Sequence, residues 1–304
     1  SDVCSSDLRL ERYYPLSSRL FRRSPLRLPL KVAEHALVAA SLAGARPDVL
    51  HVQWLALPQV DMHLRYRAPS VFTAHDLLPR RTAGKRGLWQ KALQRFDRVV
   101  VHTERGREVM GELGVDARVI PHPVYPSTAR RADDGATLLA LGVIRPYKGI
   151  ADSVEVARRL PHARLLVAGD PAMPLDDLRD VPRTEWRLGY LSQAELDRAL
   201  SEATLALFPY RPELDQSGAL LQALGAGVPA VVYDVAGLGD PIRAFGAGRV
   251  VPAGDVDALT AAVDELLGDS AALAAARAGA ERARAALTWD AAAAAHIDLY
   301  RELV

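Results

Sequence analysis

Short apolar runs rich in β-branched residues recur along the chain, and stretches with the three-to-four-residue spacing of an amphipathic helix separate them. In the first half the runs are VLHVQ (49–53), SVFTAH (70–75), RVVVH (98–102) and ARVI (117–120). Helical spacing runs from Val32 to about Gly44, over Leu57–Arg67, around Leu88–Arg95 and over 104–113. This alternation predicts βαβ units on a parallel sheet, whose strands are buried on both faces and so read as continuous apolar runs. Upstream, Arg9–Lys31 is interrupted by Pro15, Pro25 and Pro29, which excludes one long helix there.

Residues Pro121–Asp134 break the rhythm with prolines, turn formers and charge. It restarts at TLLALGV (137–143) and continues through ARLLVAG (163–169), WRLGY (186–190), ATLALF (203–208), PAVVYD (229–234) and RVVP (249–252). Helices are predicted near 149–160, 193–201, 217–225 and 255–267, and two alanine-rich ones, 270–286 and Trp289–Leu303, close the chain. The fold class is therefore α/β, with two Rossmann-like doubly wound domains. Residues 9–122 form a first domain without its opening βα unit, 123–136 a linker, 137–288 a complete second domain, and 289–304 a terminal helix.

The 304 residues suit two domains, and 49% hydrophobic with 25% charged residues is the composition of a globular protein, not a disordered one. No apolar run approaches the roughly 18 residues that a spanning helix needs. The one cysteine, Cys4, excludes a disulfide scaffold. It lies in Ser1–Leu8, SDVCSSDL, which matches one reading frame of a common sequencing adapter and is set aside as a scar. The formal net charge of +1 conceals a split: residues 9–136 carry +10 and residues 137–304 carry −7. Basic charge is nearly all arginine, so Lys148, the only lysine after position 91, marks a place that needs a compact ammonium.

Open parallel sheets bind ligands beyond the carboxyl ends of their strands, so the informative residues are those that follow strands. In LGVIRPYKG (141–149) a strand runs into a loop that holds Arg145 and Lys148, two cations able to grip a diphosphate. In PELDQSGALLQALGAGVP (212–229), Gln216, Ser217 and Gly218 open a helix whose N-terminus suits an anion, while Ser217 as a plain N-cap fits equally. Glu213 and Asp215 are placed to meet sugar hydroxyls, or simply solvent. His75, in TAHD (73–76), ends a first-domain strand and is a candidate to bind or polarise a hydroxyl. His51, Gln53 and Trp54 make a weaker version of the same case, and His102 and His122 read as structural. No metal-ligand spacing, nucleophile elbow, Walker loop or complete GxGxxG is present, so no metal or cofactor is expected.

Taken in order, PDVLHVQW, VFTAHDLLPR, VVVHTE, VIPHPV, LGVIRPYKG, LLVAGD, LFPYRPELDQSGALLQALGAGVP, GRVVPAGD and the terminal TWD and LYREL resemble the retaining nucleotide-sugar glycosyltransferases of family 4, which have the GT-B fold. The resemblance covers the chain from about Pro47 onward. It implies two Rossmann-like domains facing a cleft, with a last helix crossing back to the first. It implies that Arg145 and Lys148 bind the donor diphosphate and stabilise the leaving group, with Ser217 and Gly218 completing the cradle. His75 and Asp76, with Gln53 and Trp54, would face the acceptor and the transferred sugar, and Asp170 and Tyr190 would lie near the nucleotide.

Several positions depart from the family pattern. Its two glutamates, separated by seven residues, fall at Leu214 and Gln222, with Glu213 only adjacent to the first; Pro123 follows the linker histidine in place of glycine; Asp240 stands for a glutamate; and the glycine-rich opening loop is absent. The implied reaction is metal-independent transfer, with retention, from a UDP- or GDP-sugar to a hydroxyl of a glycan, lipid-linked saccharide or small glycoside. Two other readings stay open: a nucleotide-sugar-binding module without turnover, and an epimerase of the same fold. A cytoplasmic protein is expected, with Arg9–Lys31 either against an anionic membrane surface or a solvated flank of the acceptor cleft. Nucleic acid fits poorly, since no base-stacking or groove-reading module accompanies the arginines.

Overall fold

The computed structural model describes residues 26–44, 47–55, 63, 66–77, 86–211 and 217–304. In the first half, β1 (Leu50–Val52), β2 (Ser70–Thr73), β3 (Arg98–Val101) and β4 (Ala117–Val119) form one sheet in that spatial order, every pair parallel. Successive residues of a strand point to opposite faces, and β3 shows the result. Val99 and Val101 join Phe72, Trp89, Leu93 and Met110 on the side of α2 (Arg86–Leu93) and α3 (Glu104–Glu112). Val100 points the other way and packs with Val71, Ile120 and Leu299. Leu299 belongs to α10 (Trp289–Arg301), so the end of the chain covers the second face of this first sheet. Arg118 of β4 also holds Glu302, just past that helix, at 2.7 Å.

The second sheet contains β5 (Thr137–Leu141), β6 (Arg164–Gly169), β7 (Thr184–Leu188), β8 (Leu205–Phe208), β9 (Ala230–Tyr233) and β10 (Gly248–Val251). All neighbours are parallel, in the order β10-β9-β8-β5-β6-β7. This is the Rossmann order, and it reverses between β5 and β8, where a crevice opens at the carboxyl ends. Around it lie α4 (Ile150–Arg159), α5 (Gln193–Glu202), α6 (Gly218–Gly225), α7 (Gly239–Phe245), α8 (Val256–Gly268) and α9 (Ser270–Ala286).

Two expectations are corrected. The first helix, α1 (Arg27–Gly44), starts five residues before Val32, because Pro29 sits in its first turn, where its missing N–H costs no bond. The short α7 is absent from the sequence reading: two glycines and Pro241 mask a seven-residue helix. The helix expected over Leu57–Arg67 falls mostly on residues outside the described ones, as do Ser1–Leu8 and most of Arg9–Lys31. Among the described residues, no helix is long and apolar enough to cross a membrane.

Candidate active site

The loop that leaves β5 at the switch point is shaped by two glycines. Gly142 has φ +99°, and a Cβ there would stand 3.0 Å from the Lys148 Nζ, so the ammonium lies directly over this bare turn. Pro146–Lys148 then form one 3₁₀ turn, closed by Gly149 at φ +64°. A Cβ at Gly149 would meet the Pro209 carbonyl at 1.9 Å, which brings this loop against the one leaving β8. Buried Asp152, in the first turn of α4, clasps the two together. It accepts from Arg211 at 3.0 Å and from the Tyr233 hydroxyl at 2.8 Å, while the Arg211 amide donates to the Tyr147 carbonyl at 2.7 Å. Burial, and then the neighbouring Arg145, hold the Lys148 ammonium down to about pKa 8.

Ser217 caps α6, accepting from the Leu220 amide at 3.3 Å, so the N–H groups of Gly218 and Ala219 remain at the helix N-terminus. Tyr210 joins this terminus to the lysine. Its hydroxyl lies 2.9 Å from the Ser217 Oγ, and the Lys148 Nζ stands 5.1 Å from the centre of its ring. The ring is 1% exposed. Ala140, Leu141, Ile144, Val167 and Leu207 line the hollow beneath.

Opposite chemistry occupies the carboxyl edge of the first sheet. Each strand delivers one polar side chain just past its end: Gln53 after β1, His75 after β2, His102 after β3 and His122 after β4. Parallel strands lie about 4.8 Å apart, and the rings follow that spacing, with centroids 5.2 Å apart from His75 to His102 and again from His102 to His122. The His75 Nε2 lies 2.8 Å from the Gln53 amide, and its Nδ1 lies 3.3 Å from the His102 Nε2. The His102 Nδ1 donates to the Ile120 carbonyl at 2.9 Å. Beneath Gln53, His51 contacts Thr73, the Tyr300 hydroxyl and the ring of His296, tying the row to α10. Burial lowers the pKa of His51 to about 3 and of His102 to about 4, and holds that of His75 below its ordinary value. Trp54 packs edge-on against His75, and Trp289 against His122. Tyr125 bridges the halves, its ring carbons 3.7 Å from where a Cβ of Gly218 would stand.

The residues expected to act together are therefore grouped in two places. Arg145, Lys148, Ser217 and Gly218 gather at the switch point; Gln53, Trp54, His75 and Asp76 lie along the first edge. Half-buried Gln222 is one turn into α6, while Asp170 and Tyr190 follow β6 and β7, with Tyr190 94% exposed. Glu213, Asp215 and Gln216 lie outside the described residues. His102 and His122, which the sequence marks as structural, and Tyr210 and Tyr300, which it does not single out, also belong to these groups. Their histidine signal was present, since each of three successive apolar strands is followed by one.

Models of two families match adjoining parts of the chain: "Glycosyltransferase Family 4" over residues 3–128 and "Glycosyl transferases group 1" over 135–269. A D-inositol 3-phosphate glycosyltransferase of Mycobacterium avium is 30% identical over 301 residues, spanning 84% of this chain and 70% of that protein. A glycogen synthase of Mycobacterium tuberculosis is 29% identical over 304 residues, spanning 88% and 73%. Among solved structures, sucrose-phosphate synthase from Thermosynechococcus elongatus superposes with a TM-score of 0.75 at 22% identity, over 92% of this chain and 79% of that one. Anabaena HepE, solved with UDP and glucose, gives 0.71 at 14% identity, over 92% and 83%. The fold is thus GT-B, and the chain belongs to the family 4 glycosyltransferases.

Proposed function

We propose that this glycosyltransferase moves a sugar from a UDP- or GDP-sugar to a hydroxyl of a glycan, a lipid-linked saccharide or a small glycoside, with retention of anomeric configuration and without a metal. The observation that carries this reading is the convergence of Lys148, Arg145 and the N-terminus of α6 on one crevice, with Tyr210 linking lysine to helix cap. As the bond from the anomeric carbon to the diphosphate breaks, its electron pair leaves with the phosphate oxygen. Two cations and the helix N–H groups meet that growing charge. The acceptor oxygen bonds to the anomeric carbon on the same face, and its proton passes to the departing phosphate oxygen. Across from the cations, His75, Gln53 and Trp54 offer a polar and aromatic surface to the saccharide.

Asp170 and Tyr190, at the ends of β6 and β7, suit the nucleoside, and Gln222 a ribose hydroxyl. The basic Arg9–Lys31 flank, followed on α1 by exposed Val32 and Leu37, favours contact with an anionic membrane; co-sedimentation with vesicles should rise with their phosphatidylserine content. The main test follows hydrolysis and transfer of UDP- and GDP-hexoses by NMR. Release of nucleoside diphosphate with an α-sugar product from an α-donor is expected. Inversion, or dependence on added Mg²⁺ that EDTA abolishes, would overturn the corresponding part.

A further inference from the structure

Hydrogen bonds along the imidazole row have a direction, and it is set at one end. The Ile120 carbonyl only accepts, so His102 carries a proton on Nδ1 and, being neutral, a bare lone pair on Nε2. The His75 Nδ1 lies 3.3 Å from that lone pair and bonds to it only when protonated. A neutral His75 then has its own lone pair on Nε2, facing the Gln53 amide.

That amide has two orientations, and they belong to two protonation states. With Oε1 toward His75, at 2.8 Å, the imidazole must donate from both nitrogens and is a cation. Turned over, the amide donates to a neutral His75 and accepts from His51 Nε2, and His51 Nδ1 in turn accepts from the Tyr300 hydroxyl. Burial favours the neutral ring. Beside the His102 lone pair, the charged and titratable groups facing it are His122 and His296, which disfavour a cation, and Asp76, which favours one.

We propose that His102 is a positioning residue: by bonding to the Ile120 carbonyl it fixes the Nδ1–H tautomer of His75, so that His75 presents Nε2 as an acceptor and selects a saccharide hydroxyl over a carboxylate at that point. Gln53, exposed and displaceable, holds the place of that hydroxyl when no substrate is bound. Only the word saccharide rests on the function proposed above; the tautomer does not.

Two-bond ¹H–¹⁵N spectra of the full chain labelled at histidine report which ring nitrogen bears hydrogen, with the His75 signals assigned by their loss in His75→Gln. At pH 7.5 His75 is expected protonated on Nδ1 alone. His102→Phe, which removes the acceptor, should move His75 toward the Nε2–H form and lower kcat/KM about tenfold. His102→Gln, whose Oε1 still accepts, should keep the tautomer and most of the activity. An Nε2–H tautomer in the unaltered protein overturns the proposal, as does an unchanged tautomer in His102→Phe; should that variant fail to fold, the spectrum of the unaltered protein decides. Absence of turnover with every sugar nucleotide, alongside the expected tautomer, would instead remove the transferase reading and leave this one standing.

Discussion

At the carboxyl edge of the first sheet stand His75 and His102, whose charged forms burial disfavours; at the same edge of the second stand Arg145 and Lys148. Both sheets are parallel, and both carry their candidate side chains just past the carboxyl ends of strands. The difference lies in what each edge is built to receive. On the function proposed above, a saccharide, with hydroxyls and no charge, would be met at the first edge by neutral acceptors, donors and ring faces. A diphosphate brings charge that grows as the leaving group departs, so on the function proposed above it would be met by cations and helix N–H groups. The chain's overall charge runs the other way, +10 in the half with neutral rings and −7 in the half with the cations. Local geometry, not net charge, therefore distinguishes the two edges.

Removing the ammonium should break the comparison most severely. Lys148→Ala is expected to lower kcat by ~10² to 10³, the usual effect of deleting one donor to a developing oxyanion, and to weaken binding of nucleoside diphosphate by calorimetry. Lys148→Arg should recover little, because the planar fork does not fit over the bare turn at Gly142. In the unaltered protein, donor affinity should fall as pH rises through about 8, where free Lys148 loses its proton. Loss of charge limits the fall to about tenfold per pH unit. Binding should accordingly take up protons near pH 8, seen as a dependence of calorimetric heat on the buffer's ionisation enthalpy.

The neutral edge makes a prediction about stability. His51 and His102 have folded pKa values below the ordinary 6.5, so between those values the unfolded chain holds more protons than the folded one. Their contribution is complete above about 6.5 and is lost as pH falls, toward about 4 for His102 and about 3 for His51. For His102 alone the loss is of order ~3 kcal/mol. Urea midpoints measured from pH 7.5 to 4.5 should fall steadily, and His102→Gln should flatten part of that slope.

Much of this arrangement is legible in the sequence, for reasons that differ by region. The loop from β5 to α4 is local: Gly142, Pro146 and Gly149 set its turns within eight residues, and a lone lysine in an arginine-rich chain marks its purpose. Both sheets follow from apolar runs of strand length. The row from Gln53 to His122 is harder to read because it depends on register between strands whose paired residues lie 18 to 27 positions apart in sequence. Each histidine taken alone resembles an ordinary buried one. Tyr210 is harder still, since its burial depends on Tyr147, Lys148 and Ser217 coming together around it. Helix α7 escapes because its composition is that of a turn.

Tyr210 sharpens the comparison at intermediate cost. Tyr210→Phe keeps the ring beside Lys148 and removes the bond to Ser217, and a two- to fivefold fall in kcat/KM is expected, roughly 0.5–1 kcal/mol for a net hydrogen bond. Tyr210→Leu also removes the ring face and should lower it about tenfold or more, adding a cation–π loss of about 1 kcal/mol. Equal effects of the two would mean that the ring does not position the lysine. Thermal midpoints separate this from unfolding, because only the leucine variant, which takes ring volume from the wall of the hollow, leaves a larger cavity.

Gln222 should give the smallest change, and its sign is informative. The family pattern has a glutamate here, and this chain has an uncharged amide on the half-buried second turn of α6. If the side chain accepts from a ribose hydroxyl, a carboxylate strengthens that bond, since charge-assisted bonds are roughly twice as strong as neutral ones. The same carboxylate would be repelled by the diphosphate, so the two effects partly cancel. Gln222→Glu is therefore expected to tighten UDP or GDP only about two- to threefold, with no gain for the deoxyribose analogue. Tightening of both nucleotides alike would place the new charge against Lys148 or Arg145 instead of the ribose, and weakening would show that the amide faces the phosphates.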